Sequence, residues 1–161
     1  MAVSLAGARS DLRWAGPDWM PPDHVTAREL WWARLRDPRT WVGVAVSGFT
    51  CVGCATAWPA PTMRGRAPRL AYVVGPIVDP EWWGEGIGSA LVEEGLGVLA
   101  RRRFARAEVA IPAGNRRGRR FLERRGWHHP KSQAERSSMA IVLYGRDLGG
   151  EPIENHSQYA A

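Results

Sequence analysis

Residues 78–88 read Val-Asp-Pro-Glu-Trp-Trp-Gly-Glu-Gly-Ile-Gly, and a long amphipathic segment follows at once. A glycine-dense stretch of this kind, set between an apolar run and a helix, lets backbone N–H groups converge on an anion. The new helix adds its own unpaired N–H groups and the positive end of its dipole. The chemistry is therefore capture of a phosphate-bearing ligand, held by backbone amides such as those of Glu85 to Ser89 rather than by side chains. A nicotinamide site fits less well. The glycine spacing is compressed, and no ribose-binding acid follows an adjacent strand at the expected distance. Further along, Arg116, Arg117, Arg119 and Arg120 crowd one short segment. They either reach phosphates or form a solvated helix face.

The composition agrees with an anionic ligand. The 161 residues carry a net charge of +6, nearly all of the positive charge is arginine, and Lys131 is the one lysine. At 45% hydrophobic residues the chain has enough apolar material for a core. The expectation is one domain over residues 1–148 and a polar tail over 149–161. No stretch is long and apolar enough to cross a membrane. The first ten residues make a poor signal peptide, so a cytoplasmic location is expected. Cys51 and Cys54 fall in an expected strand, where odd spacing places them on opposite faces. They are read as structural thiols, and a zinc site would lack ligands. Nine tryptophans leave some for a binding surface.

The elements that must hold these residues follow from pattern. A short first strand is expected near Asp11 to Trp14. Asp23 caps a helix running to about Arg36, where Pro38 stops it. Trp41 to Ser47 and Thr50 to Trp58 form a hairpin around Gly48-Phe49. Pro59 to Pro68 is a loop, and Leu70 to Val78 a strand interrupted by Gly75-Pro76, which calls for a bulge or a break in pairing. Ile87 to about Arg103 is a helix with a broad apolar face; its Gly95 and Gly97 weaken it while permitting close approach to a sheet. Ala105 to Ile111 alternates as a strand. Asn115 caps a second helix that stops at Gly126. Trp127 to His129 is a short strand or turn, and Ser137 to Tyr144 a last strand. The fold class is mixed α/β.

This order, with its two motifs, resembles the GCN5-related N-acetyltransferase (GNAT) family over roughly residues 40–144. The family's pyrophosphate motif (Arg or Gln, two residues, Gly, one residue, Gly or Ala) is matched by Trp83-Gly84-Glu85-Gly86-Ile87-Gly88. Its second signature, Asn-x-x-Ala-x-x-Phe-Tyr-Glu-x-x-Gly-Phe, aligns with Asn115 through Gly118, Arg119, Phe121, Leu122 and Gly126 to Trp127. The resemblance implies a mixed, mostly antiparallel sheet flanked by helices and splayed between its fourth and fifth strands. It implies acetyl-CoA as cofactor and transfer of the acetyl group to a primary amine by direct attack in a ternary complex. Ile77 and Val78 would pair with the pantetheine amides, Asn115 would contact the pantetheine arm, and the Val78 N–H would be the oxyanion donor. A small-molecule or peptide amine is the implied partner, nucleic acid and membrane are not, and a homodimer through exposed strands near the carboxyl end is a further expectation.

Three departures bear on mechanism. Trp83 replaces the usual arginine or glutamine. Glu85 puts a carboxylate where many relatives carry a base. Leu122 stands where a tyrosine often protonates the departing thiolate. The strand before the glycine loop carries no carboxylate to act as base. Tyr72 acting through water, His128 and His129 with their useful titration range, and Tyr144 are the remaining acid–base candidates, beside a mechanism of positioning alone. The acceptor site is expected between the Asp23–Arg36 helix, the Pro59–Pro68 loop and the segment after Gly126, with Trp31, Trp32 and Trp58 as aromatic walls. Two other functions remain open: an acyl-CoA-binding or regulatory module without turnover, and nucleic-acid binding through the Arg116–Arg125 helix.

Overall fold

The computed structural model describes residues 23–60, 69–129 and 141–149. The expected first strand and the polar tail from residue 150 onward lie outside these residues. Asp23 opens helix α1 (His24–Arg36), its carboxylate accepting from the N–H groups of Val25 and Thr26. Strands β1 (Trp41–Ser47), β2 (Thr50–Pro59) and β3 (Leu70–Val78) follow as antiparallel neighbours. A single 3-10 turn (Pro80–Trp82) leads to helix α2 (Ile87–Arg101), then β4 (Arg106–Pro112), helix α3 (Arg116–Glu123) and β5 (Ile141–Asp147). The five strands lie in the order β1-β2-β3-β4-β5, and only β3 and β4 run parallel. Counting the expected strand near residue 11, β3 and β4 are the fourth and fifth.

Both α2 and α3 cover one face of this sheet. Their apolar sides meet Ala57, Ala71, Ala107, Val109, Val142 and Tyr144 in a core built around Leu96, Leu99, Leu122 and Trp127. Small residues set the approach of α2. Trp41 lies across both Gly43 and Gly95, so that a Cβ on Gly95 would stand 2.7 Å from the indole. Gly97, by contrast, faces only the end of Arg101. The two helices end alike. Phe104 N–H bonds Leu99 O and Arg103 N–H bonds Ala100 O, with Arg103 at φ +62°. Trp127 N–H bonds Leu122 O and Gly126 N–H bonds Glu123 O, with Gly126 at φ +72°. Each is a left-handed closure that satisfies the last carbonyls. Only the second was legible, because arginine is an uncommon occupant of such a position.

Two irregularities depart from the simple alternation. In β2, Gly53 opposes Ala45 while Cys51 opposes Val46, so Val52 is an extra residue. The bulge shifts the side-chain parity, and Cys51 and Cys54 lie on the same face, not on opposite ones. Both are free, and burial pushes the Cys54 thiol up to about 11. The last strand also runs later than expected, to Asp147, because Arg106 at the start of β4 pairs with Asp147 in register and bonds its carboxylate at 2.9 Å. Met139 and the rest of 137–140 lie outside the described residues.

Candidate active site

The parallel ladder between β3 and β4 runs from Leu70↔Arg106 to Val73↔Val109 and then stops. At that point β3 bulges. Cys54 opposes Ile77 and Thr56 opposes Val74, so Gly75-Pro76 carries the excess residue. Only glycine suits the first position. Its φ is +99°, and a Cβ would stand 3.0 Å from the Cys54 carbonyl oxygen. Beyond the bulge the strands part, and a cleft of about 550 Å³ opens between them. Val74 to Val78 form one wall, Val109 to Pro112 the other, the glycine loop lies at one end, and Phe121 and Leu122 of α3 form the floor.

The polar groups facing this cleft are mainly backbone. Asp79 N–H bonds Val52 O at 2.9 Å, so by strand alternation the N–H and C=O of Val78 point away from β2, into the fork. Ile77 borders the cleft with its side chain, and its own backbone groups turn toward β2. Pro76 has no N–H to offer. At the mouth, Gly84 (φ +101°) and Gly86 (φ +78°) hold the loop in left-handed turns with open space around both. Ser89 and Ala90 N–H turn back to Gly86 O at 2.9 and 3.0 Å. The Ser89 amide is thus engaged, and the free end of the helix consists of the Ile87 and Gly88 N–H groups with the loop amides before them. A Cβ on Gly88 would press on Pro76 at 3.3 Å and on Phe121, inside the cleft.

The structure places Trp83, Gly84, Gly86, Ile87, Gly88, Ser89, Asn115, Gly118 and Leu122 on the cleft, with Glu85 outside its lining. Glu85 is exposed. Trp83 donates its indole N–H to Val78 O at 2.8 Å and carries the Arg117 guanidinium on its face at 4.1 Å. The indole brings no charge of its own, but it seats a cation at the mouth. Asn115 Oδ1 accepts from Gly118 N–H at 2.8 Å as the cap of α3, which leaves its amide N–H groups for the cleft.

Arg119 goes elsewhere. It donates to Tyr144 Oη at 3.1 Å and to Ala113 O, while Tyr144 donates to Glu123 at 2.7 Å. Tyr144 is 1% exposed, and burial holds its hydroxyl above the ordinary tyrosine value. Arg119 and Tyr144 therefore tie α3 to β5, and neither borders the cleft. Arg116 and Arg120 are exposed and do not border it either.

Two arginines that pattern reading passed over do line it. Arg124 and Arg125 are reached from Arg117 and Phe121 at helical spacing. Arg125 lies over the Phe121 ring at 3.9 Å and hydrogen-bonds Ser89 Oγ at the start of α2.

The acid–base candidates separate. His128 exchanges backbone hydrogen bonds with Gly145 along the outer side of β5, and His129 Nδ1 lies 2.9 Å from Leu143 O. Both are exposed and neither borders the cleft. Tyr72 stands one residue before the fork, in register with Glu108 of β4 and packed edge-on to Trp58 at 6.4 Å. Glu108 supplies a carboxylate on the neighbouring strand and accepts from Arg106 at 3.3 Å; neither it nor Tyr72 borders the cleft. Trp31 and Trp58 come together around Arg34 on this face of the sheet, whereas Trp32 lies outside, exposed under Arg36. Among the described residues no group of histidine, cysteine and carboxylate side chains is set to hold a metal ion, and no helix is long and apolar enough to cross a membrane.

The model of the acetyltransferase (GNAT) family matches residues 8–127. No curated protein matches the sequence. Among solved structures, the chain is similar to a GCN5-related N-acetyltransferase from Kribbella flavida, at 18% identity and a TM-score of 0.70, covering 91% of each chain. It is similar to the ribosomal-protein-alanine N-acetyltransferase of Brucella melitensis, at 18% identity and a TM-score of 0.69, covering 91% of this chain and 92% of that one. It is also similar to PaiA N-acetyltransferase from Thermoplasma acidophilum in complex with coenzyme A, at 12% identity and a TM-score of 0.63, covering 91% and 90%.

Proposed function

Because the chain belongs to the acetyltransferase (GNAT) family, whose acyl donor is acetyl-CoA, we propose that it transfers the acetyl group to a primary amine by direct attack. The observation that carries this reading is the fork between β3 and β4, with the Val78 N–H directed into it and the start of α2 at its mouth. The residues fit the cofactor. The amides of Gly84 to Gly88 suit a pyrophosphate, and Arg117, Arg124 and Arg125 flank them. A cleft of this volume with apolar walls suits the pantetheine arm.

When bound, acetyl-CoA supplies an acyl carbon joined to a competent leaving group. The protein's part is to hold and to exclude. Val78 N–H donates to the acyl oxygen as negative charge builds on it. Asn115 orients the arm through its free amide hydrogens. Glu108, one rung before the fork and in register with Tyr72, would accept through water the proton the amine must lose before it attacks. Leu122 seals the floor against water and gives no proton. A thiol resembling cysteine has a pKa of order 8.5, so a thiolate leaving group would need no side-chain acid at that position.

The test is Gly86→Val. A β-branched residue at φ +78° is strained, so the variant should lose coenzyme A binding by at least about tenfold in calorimetry, which is roughly 1.4 kcal/mol. Its circular dichroism should be unchanged. Unaltered affinity would refute the placement of the pyrophosphate. Release of free thiol from acetyl-CoA with an amine panel separates a transferase from a binding module: binding without release in any amine would favour the module, to which Leu122, Trp83, Glu85 and the lack of a carboxylate on β3 also point.

A further inference from the structure

The Arg34 guanidinium lies between two indoles, 5.4 Å from the Trp31 ring and 5.1 Å from the Trp58 ring. It is half-buried, and burial holds it below the ordinary arginine value. Arg119 and Arg125, also partly covered, donate to oxygen atoms of Tyr144, Ala113, Phe121 and Ser89, and two other partly covered arginines have acidic partners. Arg106 has Glu108 and Asp147, and Arg146 has Glu93. Arg34 has none among the described residues. The acid one turn ahead on its own chain, Asp37, is already used: Arg39 donates to it through its backbone and side chain at 2.8 to 3.0 Å, and those hydrogen bonds pull the Asp37 carboxyl down to about 2. A cation removed from water without a counter-charge is costly unless something else meets it. Indole faces meet it in part and fix the plane of the fork, leaving its N–H edge to bind.

Its position gives the ligand. Arg34 acts electrostatically on Cys54 and touches Trp58, so it lies over the middle of β2, near Thr56. Thr56 pairs with Val74, which borders the cleft where the strands part. The guanidinium is thus one strand away from β3, the near wall of the fork, which is roughly 5 Å within the plane of the sheet before its height above the sheet is added. It stands on the sheet face opposite α2 and α3. Helix α1 lies over this face, so an acceptor held by Arg34 would come to the fork from the side opposite α2 and α3.

We propose that Arg34 binds the acceptor, and that the acceptor is a primary amine which also carries a carboxylate group. The carboxylate pairs with the free edge of the guanidinium and the amine extends to the fork. This rests on the reading that an amine is acetylated there.

The experiment compares ω-amino acids with n-alkylamines of the same chain length as acceptors, by thiol release. A second readout is the change in tryptophan emission when each ω-amino acid is added without acetyl-CoA. The wild-type protein should favour the carboxylate-bearing member by at least about tenfold in kcat/KM at one chain length, as expected for a charge-assisted pair. Arg34→Met should lose that preference and the emission change while keeping its affinity for coenzyme A. Arg34→Lys, which keeps charge but not the planar fork, should retain part of both, and it decides the matter if Arg34→Met does not fold. Equal use of both amines, a preference that survives Arg34→Met, or a stronger preference for aminoalkyl phosphates would overturn the proposal and leave the transferase reading standing. No acetylation of any amine, with the Arg34-dependent emission change intact, would overturn the transferase reading and leave the carboxylate site. Absence of both would overturn both.

Discussion

Four side chains offered themselves as proton carriers, and their surroundings rank them. Tyr144 is enclosed between Arg119 and Glu123, and His128 is exposed with its backbone occupied by β5. Tyr72 is beside the fork, and in Glu108 it has a carboxylate neighbour across the ladder. The expected outcome is that Glu108→Gln and Tyr72→Phe each lower kcat by about tenfold to a hundredfold and flatten its rise with pH, the usual range for a general base. Coenzyme A affinity should not change, and His128→Ala should leave the profile as it was. Pre-steady-state thiol release across pH measures this; an unaltered profile in both variants would leave positioning as the mechanism. The glycines and Asn115 were legible because their role is a backbone shape that few residues allow. Glu108 was not, because it meets Tyr72 only through a pairing 36 residues apart in sequence. Arg125 was hidden for a similar reason, since its partner Ser89 belongs to another helix.

At the scale of elements, glycine has two meanings in α2. Gly95 admits the Trp41 ring and Gly97 admits only a mobile arginine end. Alanine favours a helix over glycine by about 1 kcal/mol, whereas overpacking a close contact costs roughly 1–3 kcal/mol. Gly95→Ala should therefore be destabilising, by about 1 kcal/mol net, and Gly97→Ala stabilising by up to about 1 kcal/mol. Urea unfolding with a common slope checks both; a stabilised Gly95→Ala would mean that Trp41 moves aside freely. The type and order of the described elements were legible from periodicity and caps. What was not legible was phase. The extra residue at Val52 turns both cysteines to one side, and the Gly53 beside it is too weak a sign, since a lone glycine in a strand also marks a close backbone approach. The bulge at Gly75-Pro76 carried both residues and was foreseen.

Across the whole molecule, the charge of +6 gathers meaning from where it lies. Arg117, Arg124 and Arg125 converge on the end of the cleft that suits phosphates. A field of one sign at a cleft mouth raises the association rate of an opposite charge and weakens steeply with salt. The association rate of coenzyme A, followed by stopped flow, should fall several-fold between about 0.05 and 0.5 M salt, on the order expected from a Debye length shrinking below 10 Å. The rate for a phosphate-free pantetheine should hardly respond. Equal salt dependence for both would show that the arginines do not steer. Nothing in the sequence alone distinguishes these three from Arg116, Arg119 and Arg120. The distinction is made by which side of α3 the sheet leaves uncovered.

The Trp83 indole, already bonded to the Val78 carbonyl, makes the parted strands self-sufficient. An open fork would ordinarily leave a strand acceptor bare, and a bare buried acceptor is a reason for strands to close up again. Here the chain furnishes its own substitute strand, one side chain wide. An amide that came to that carbonyl would either displace the indole, exchanging one hydrogen bond for another of similar strength, or share the oxygen through its second lone pair. On the proposed reading, the strand wall would gauge the length and shape of the pantetheine arm, and the grip would fall to the end of the cleft where the loop amides and three arginines are gathered.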